Sequence, residues 1–212
     1  EEELAMAPKT PYKDAQVGDI RYIDINGDGW LNEDDRVEVG RSTTPEMMFA
    51  FSGDMNWKGL DFSVQFQGAA LCDKFLLHAW GNGAEDANPL TRPWYGGWDN
   101  APLFLVENSW RPDNPNAAFP RLSTSPISNN SLASDYWKKN GAYLRLKNVT
   151  LGYTLPKKWT KKALIENLRF YVSGNNLLTF TEFKYLDPES PNVINGYYPQ
   201  QRTFVFGVDV TF

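Results

Sequence analysis

The sequence predicts an all-β fold, in which the strands form part of a transmembrane β-barrel wall carrying long extracellular loops. Three observations point to it. Five segments alternate apolar and polar residues with a period of two, the pattern of a strand that shows one face to each environment. Their connections alternate between short (58–59 and 156–166) and long (69–141 and 181–200), as periplasmic turns and extracellular loops do in outer-membrane barrels. No run of 18 or more apolar residues occurs, which excludes a membrane-spanning helix and says nothing against spanning strands.

The strands are expected at about 46–57, 60–68, 143–155, 167–179 and 201–212. In the first, Met47, Phe49, Phe51, Met55 and Trp57 oppose Ala50, Ser52, Asp54 and Asn56. The second sets Leu60, Phe62, Val64 and Phe66 against Asp61, Ser63, Gln65 and Gln67, and Lys58-Gly59 makes the pair a tight hairpin. In the third, Val149, Leu151, Tyr153 and Leu155 are apolar, yet Leu144 and Leu146 fall in the opposite phase, which predicts a bulge near Lys147. Pro156 to Glu166, with four lysines, reads as a short helical turn. The fourth strand sets Leu168, Phe170 and Val172 against Arg169, Tyr171 and Ser173. The last sets Phe204, Phe206, Val208, Val210 and Phe212 against Val205, Gly207, Asp209 and Thr211. Five strands cannot close a barrel, and an open edge in hydrocarbon leaves backbone groups unpaired, so these strands belong to a larger wall.

Composition removes several function classes. A net charge of −5 without a basic stripe argues against nucleic acid. The single His78 removes multi-histidine zinc sites, and the single Cys72 removes an internal disulfide; they read as a loop histidine without a catalytic role and a small buried residue at a strand end. No nucleophile elbow, P-loop or paired-carboxylate arrangement is present, so no enzyme activity is expected. The chain begins Glu1-Glu2-Glu3 with neither an initiator Met nor a signal peptide, which reads as a mature product or a piece of something longer. Eight Trp, ten Tyr and thirteen Phe make 15% of a chain whose mean hydropathy is −0.50, and many rings in a polar background suit a girdle, a rim or a binding surface.

Residues 1–45 read as an extracellular loop region in which Gly18 to Ile23 form a strand ahead of a calcium-type loop at 24–35. Asp24, Asn26, Asp28, the Trp30 carbonyl and Asp35 stand at offsets that converge oxygens on one Ca²⁺, with Gly29 at the sharp turn. Asp35 takes the last position, where Glu reaches further, so the site is expected to be weak and structural. The same residues also suit a metal-free Asn-Gly/Asp-Gly turn. In the loop at 69–141, Trp80, Arg92, Trp94, Tyr95, Trp98 and Trp110 either form a stacking platform for sugar rings or peptide side chains, or pack the loop against itself or a partner protein.

Four separated segments carry a resemblance: Gly18-Asp-Ile-Arg-Tyr-Ile-Asp-Ile-Asn-Gly-Asp-Gly29 followed by Asp34-Asp-Arg36, Tyr143 to Pro156, Asn167 to Thr179, and Arg202 to Phe212. In that order they resemble the C-terminal region of SusC/RagA-like TonB-dependent outer-membrane transporters of Bacteroidetes. The resemblance implies the closing strands of a 22-stranded barrel filled by a plug. It also implies a SusD-like lipoprotein lid, energy from TonB with ExbB and ExbD, and import of a glycan or peptide. With Phe212 in the periplasm, counting back places 181–200, 69–141 and the 24–35 loop outside the cell. The rival expectation is a soluble, secreted carbohydrate-binding β-sandwich with one calcium loop.

Overall fold

The computed structural model describes residues 2–11, 15–76, 103–123, 127–190 and 200–212. In chain order its elements are α1 (Glu2–Ala5), β1 (Met47–Trp57), β2 (Leu60–Ala70), β3 (Asp73–Phe75), α2 (Leu103–Glu107), β4 (Lys138–Asn140), β5 (Tyr143–Thr154), α3 (Lys157–Thr160), β6 (Asn167–Thr181) and β7 (Thr203–Thr211). The chain forms two compact units, one holding the described residues of 1–40 and 75–138, the other those of 41–74, 139–190 and 198–212.

The second unit is an antiparallel sheet in the order β1-β2-β5-β6-β7. Its register lines the apolar rows up from strand to strand. Val64 lies opposite Gly53 and Val149, Phe62 opposite Met55 and Leu151, and Leu60 opposite Trp57 and Tyr153. The row continues through Val172 and Phe206 beside Leu151, and through Phe170 and Val208 beside Tyr153. Phe51 stacks on Phe66 with centroids 4.9 Å apart. The result is one continuous apolar face that the second unit leaves uncovered by its own residues, on which Phe206 is 81% exposed. At the turn end Trp57 and Trp159 stand exposed, with the ammonium groups of Lys58 and Lys158 at 5.0 and 5.9 Å from their ring centroids. A ring between apolar face and cationic rim suits a membrane interface. A sandwich would need a second sheet over this face. Among the described residues the only other sheet is β3–β4, of three residues per strand, which cannot cover five long strands.

The register skips Lys147 on both sides of β5: Gln65 lies opposite Asn148 while Phe66 lies opposite Leu146, and on the other side Asn148 meets Asn175 while Leu146 meets Leu178. Side chains alternate strictly, so an unmatched residue shifts the phase of everything beyond it. Leu144 and Leu146 thereby join the apolar face beside Phe180 and Leu178, and Arg145 turns to the polar face. β6 compensates with the 176–177 pair, where Asn176 takes a φ of 53°.

In the first unit Ile20, Leu76, Leu105, Phe119, Ile127 and Trp137 are buried. The expected strand at Gly18 to Ile23 does not form. Its backbone groups go instead to two asparagines: Ile20 N–H donates to Asn130 Oδ1 (2.8 Å) and Ile20 C=O accepts from Asn129 Nδ2 (2.8 Å). Side-chain amides offer the same bonds as a neighbouring strand, and sequence periodicity cannot tell the two apart. The interval read as a single long loop also holds β3, α2 and β4, and Cys72 is buried between β2 and β3.

With the apolar face in hydrocarbon, Val64→Arg is expected to destabilise the parent barrel by roughly 2–4 kcal/mol near the bilayer midplane, while Gln65→Arg costs far less. Refolding into lipid vesicles across a urea series measures both; equal tolerance would reverse the assignment of the faces.

Candidate functional site

The polar face of the sheet is the candidate site, because all charged groups that its strands share with one another are organised there. At the turn end Arg169 on β6 bonds to Asp61 on β2 through Nε (2.9 Å) and Nη2 (2.6 Å), and to Asp209 on β7 through Nη1 (2.9 Å). Arg169 reaches Asp61 across β5, which lies between them. The residue beneath the crossing is Gly152, where a Cβ would sit 2.5 Å from the Asp61 carboxylate and 2.7 Å from Arg169 Nη2. Glycine makes the bidentate pair possible by leaving that space open. The Arg169 guanidinium also lies over the Tyr171 ring, 4.8 Å from its centroid.

Mid-wall residues on β5 and β6 are neutral hydrogen-bonding groups, and Asp54 on β1 adds a carboxylate to the row of Ser63 and Thr150. Asn148 Nδ2 donates to Asn175 Oδ1 (2.8 Å), and Thr150 Oγ1 donates to Ser173 Oγ (2.9 Å), so amides and hydroxyls on β5 and β6 link in pairs. Ser63 and Gln65 extend the same chemistry onto β2, opposite Thr150 and Asn148.

At the loop end lies a second ionic group that the sequence reading missed. Arg145, 4% exposed, donates to Asp187 Oδ1 (2.7 Å), Glu189 Oε2 (3.2 Å) and Thr179 Oγ1 (2.9 Å), and Lys147 Nζ reaches Glu189 Oε2 (2.9 Å). Burial pushes the Asp187 carboxyl up, but hydrogen bonds from Arg145 and from the Gln200 and Glu189 amides outweigh it and hold the group below its ordinary 3.8. The available sequence signal was weak: two cations two residues apart on β5, and two anions two residues apart in the loop after β6.

The 24–35 loop brings its expected residues together as amide acceptors. Asp24 accepts from Gly27 and Gly29, and Asp28 from Trp30 and the Asn26 side chain. Asp35 accepts from Ile25, Asn26 and Asn32, the last as half of a capping box with the Asn32 side chain. The Asn32 and Ile25 amides hold the Asp35 carboxyl below its ordinary 3.8, so it is ionised at neutral pH. Trp30 pairs with Lys9, which bridges the loop to residue 9. Among the described residues no three His, Cys, Asp or Glu side chains gather as a metal-binding group. The oxygens are nevertheless hard donors of the kind Ca²⁺ takes, and a carboxylate oxygen that accepts one amide keeps a second lone pair.

Of the aromatic loop residues, Trp80, Arg92, Trp94, Tyr95 and Trp98 lie outside the described residues, as does His78. Trp110 is described: its ring covers Gly18, where a Cβ would come within 2.3 Å, and its backbone N–H donates to Phe119 C=O. That ring packs within the first unit.

No family model matches the chain. Among curated relatives, the TonB-dependent receptor P26 of Formosa agariphila is 33% identical over 209 residues, covering 92% of this chain and 20% of the relative. The TonB-dependent receptor SusC of Bacteroides thetaiotaomicron is 26% identical over 193 residues, covering 90% and 17%. The chain spans about a fifth of the length of the curated relatives it matches. Among solved structures, the RagAB peptide importer in its closed-closed state matches with a TM-score of 0.58 at 24% identity over 90% of this chain and 20% of that one. A structure of the RagAB peptide transporter matches at 0.57 and 23% over 86% and 19%. At these identities the structural matches establish the fold: the five-stranded sheet is a segment of a barrel wall.

Filling the space under the Arg169–Asp61 crossing should break it. Gly152→Val is expected to destabilise the parent barrel by about 1–3 kcal/mol through overpacking, and Asp61→Asn in the same background to cost little more, since the pair is already lost. Chemical denaturation in detergent measures this; wild-type stability in Gly152→Val would show that the wall accommodates a side chain there.

Proposed function

We propose that the chain is a segment of a SusC/RagA-like TonB-dependent transporter and forms part of the wall of an outer-membrane importer that takes up a bulky nutrient, a glycan or a peptide, at the expense of TonB-transmitted energy. The observation that carries this reading is the two-faced sheet: one continuous apolar face for lipid, and one polar face whose arginines are paired with carboxylates and whose middle is rich in amides and hydroxyls, suited to a polar interior. Support for cargo and energy source comes from the relatives, which are named TonB-dependent receptors, and from the RagAB match, named a peptide importer. On the same grounds the proposed partners are a SusD-like surface lipoprotein acting as lid, the TonB–ExbB–ExbD complex, and the rest of the barrel with its plug. The chain's own contribution is wall and rim.

The reading is tested in cells that carry the parent gene, by following accumulation of fluorescently labelled oligosaccharides and oligopeptides in separate arms. Deleting the gene, or deleting TonB, should abolish uptake in one arm at least. Uptake in every arm that survives loss of TonB would overturn active import.

We further propose that the 24–35 loop takes a structural Ca²⁺, held by Asp24, Asn26, Asp28, the Trp30 carbonyl and Asp35. The ion would neutralise carboxylates that amides alone now orient. Since Asp replaces the longer Glu at position 35, the expected dissociation constant is on the order of 10⁻⁴ to 10⁻³ M, sufficient outside a cell. Calorimetric titration of CaCl₂ into the chelator-treated full-length protein should give this affinity and lose it in Asp24→Asn/Asp28→Asn. Absence of heat up to 10 mM, taken as about ten times the weakest expected constant, would leave the loop as a metal-free turn.

A further inference from the structure

We propose that residues 182–190 are a strap fixed to the inner wall at the loop end, with Arg145 as its buried anchor, so that this part of the rim is a permanent piece of the barrel and not a moving loop. The inference depends on the pairings around the segment and stands independently of which cargo is imported.

The strap is held along its whole length. At its start the Asn140 side chain donates to Glu182 (3.2 Å), and the Phe183 N–H donates to Thr181 Oγ1 (3.0 Å), whose hydroxyl in turn donates to Ala142 C=O (2.8 Å). The Phe183 side chain is 1% exposed. In the middle Asp187, 7% exposed at its side chain, receives Arg145, the Glu189 amide and the Gln200 amide, which ties the strap to the residue just ahead of β7. At its end Lys147 takes Glu189, and Lys74 Nζ donates to the buried Ser190 C=O (2.8 Å).

Electrostatics make this arrangement hard to open. Arg145 and Lys147 supply two positive charges, and Asp187 and Glu189 supply two negative ones, all largely removed from water. Lifting the strap would strand a guanidinium against the wall and leave carboxylates to rehydrate one by one, whereas loops that move in function are drawn from regions with few buried contacts. The planar guanidinium, which bonds three partners at once, is the group that cannot be exchanged for a point charge without loss.

Hydrogen–deuterium exchange on the full-length transporter in lipid nanodiscs tests this. In the wild type, peptides covering 182–190 should exchange as slowly as the ends of β5 and β6. In Arg145→Met they should exchange at least tenfold faster while the mid-strand peptides of β5 and β6 stay protected, and Arg145→Lys should restore part of the protection. Should Arg145→Met fail to assemble, Asp187→Ala removes the acceptor from the strap side without touching a wall strand, and the same acceleration is expected. Strap peptides that exchange in the wild type at the rate of unprotected chain, or that are unchanged in both Arg145→Met and Asp187→Ala, would overturn the proposal.

Discussion

The single unmatched residue at Lys147 governs the sheet. With strict alternation, the apolar residues on the two sides of that point would face opposite ways, and Leu144 and Leu146 would stand among the polar side chains. The bulge absorbs one residue of β5 and restores the phase against β2, so that Leu146 meets Phe66 and Leu178 on the apolar face. The same step turns Arg145 inward, next to Thr179, and leaves Lys147 free of the ladder to reach Glu189. One face can therefore be predominantly apolar and the other predominantly polar only because the ladder is interrupted here.

From that division follows the arrangement of charge. The paired ions on the polar face are grouped at its two ends, Arg169 with Asp61 and Asp209 near the turns, Arg145 and Lys147 with Asp187 and Glu189 near the loops, and the middle is mainly Asn, Ser, Thr and Gln, with Asp54 and Val205 in the row of Ser63 and Ser173. Each cation spans more than one chain segment. At the turn end Arg169 cross-links β2 and β6, which are not neighbours in the ladder, by reaching over Gly152, and at the loop end Arg145 and Lys147 tie β5 to the segment after β6. Paired charges partly shielded from water hold geometry more than they add net stability, since the cost of desolvating them offsets much of their attraction.

The apolar face carries the complementary consequence. In an aqueous setting, rings as open as Phe204, Phe206 and Phe212 would be an aggregation hazard. In hydrocarbon they are matched to their surroundings. β1 and β7 are paired on one side only among the described residues, and in lipid such edges must be met by further strands. The relatives, about five times longer than this chain, are of a length to supply them.

The strands, their faces, the 58–59 turn and even the bulge were legible in the sequence, because period-two alternation is a local property and a phase error is visible as two leucines out of step. The resemblance to TonB-dependent receptors was legible as well, from four segments in fixed order. What the sequence left open depends on meetings between residues far apart in the chain. Gly18 to Ile23 has the composition of a strand, but Asn129 and Asn130, more than a hundred positions away, take its hydrogen bonds. Asp187 and Glu189 look like ordinary residues of a polar loop until the fold lays them on Arg145 and Lys147 some forty residues earlier. Alternation determined which way each strand faces; only tertiary structure decided which partners the polar groups find, since hydrogen bonds and ion pairs are satisfied by proximity in space and leave no period in the chain.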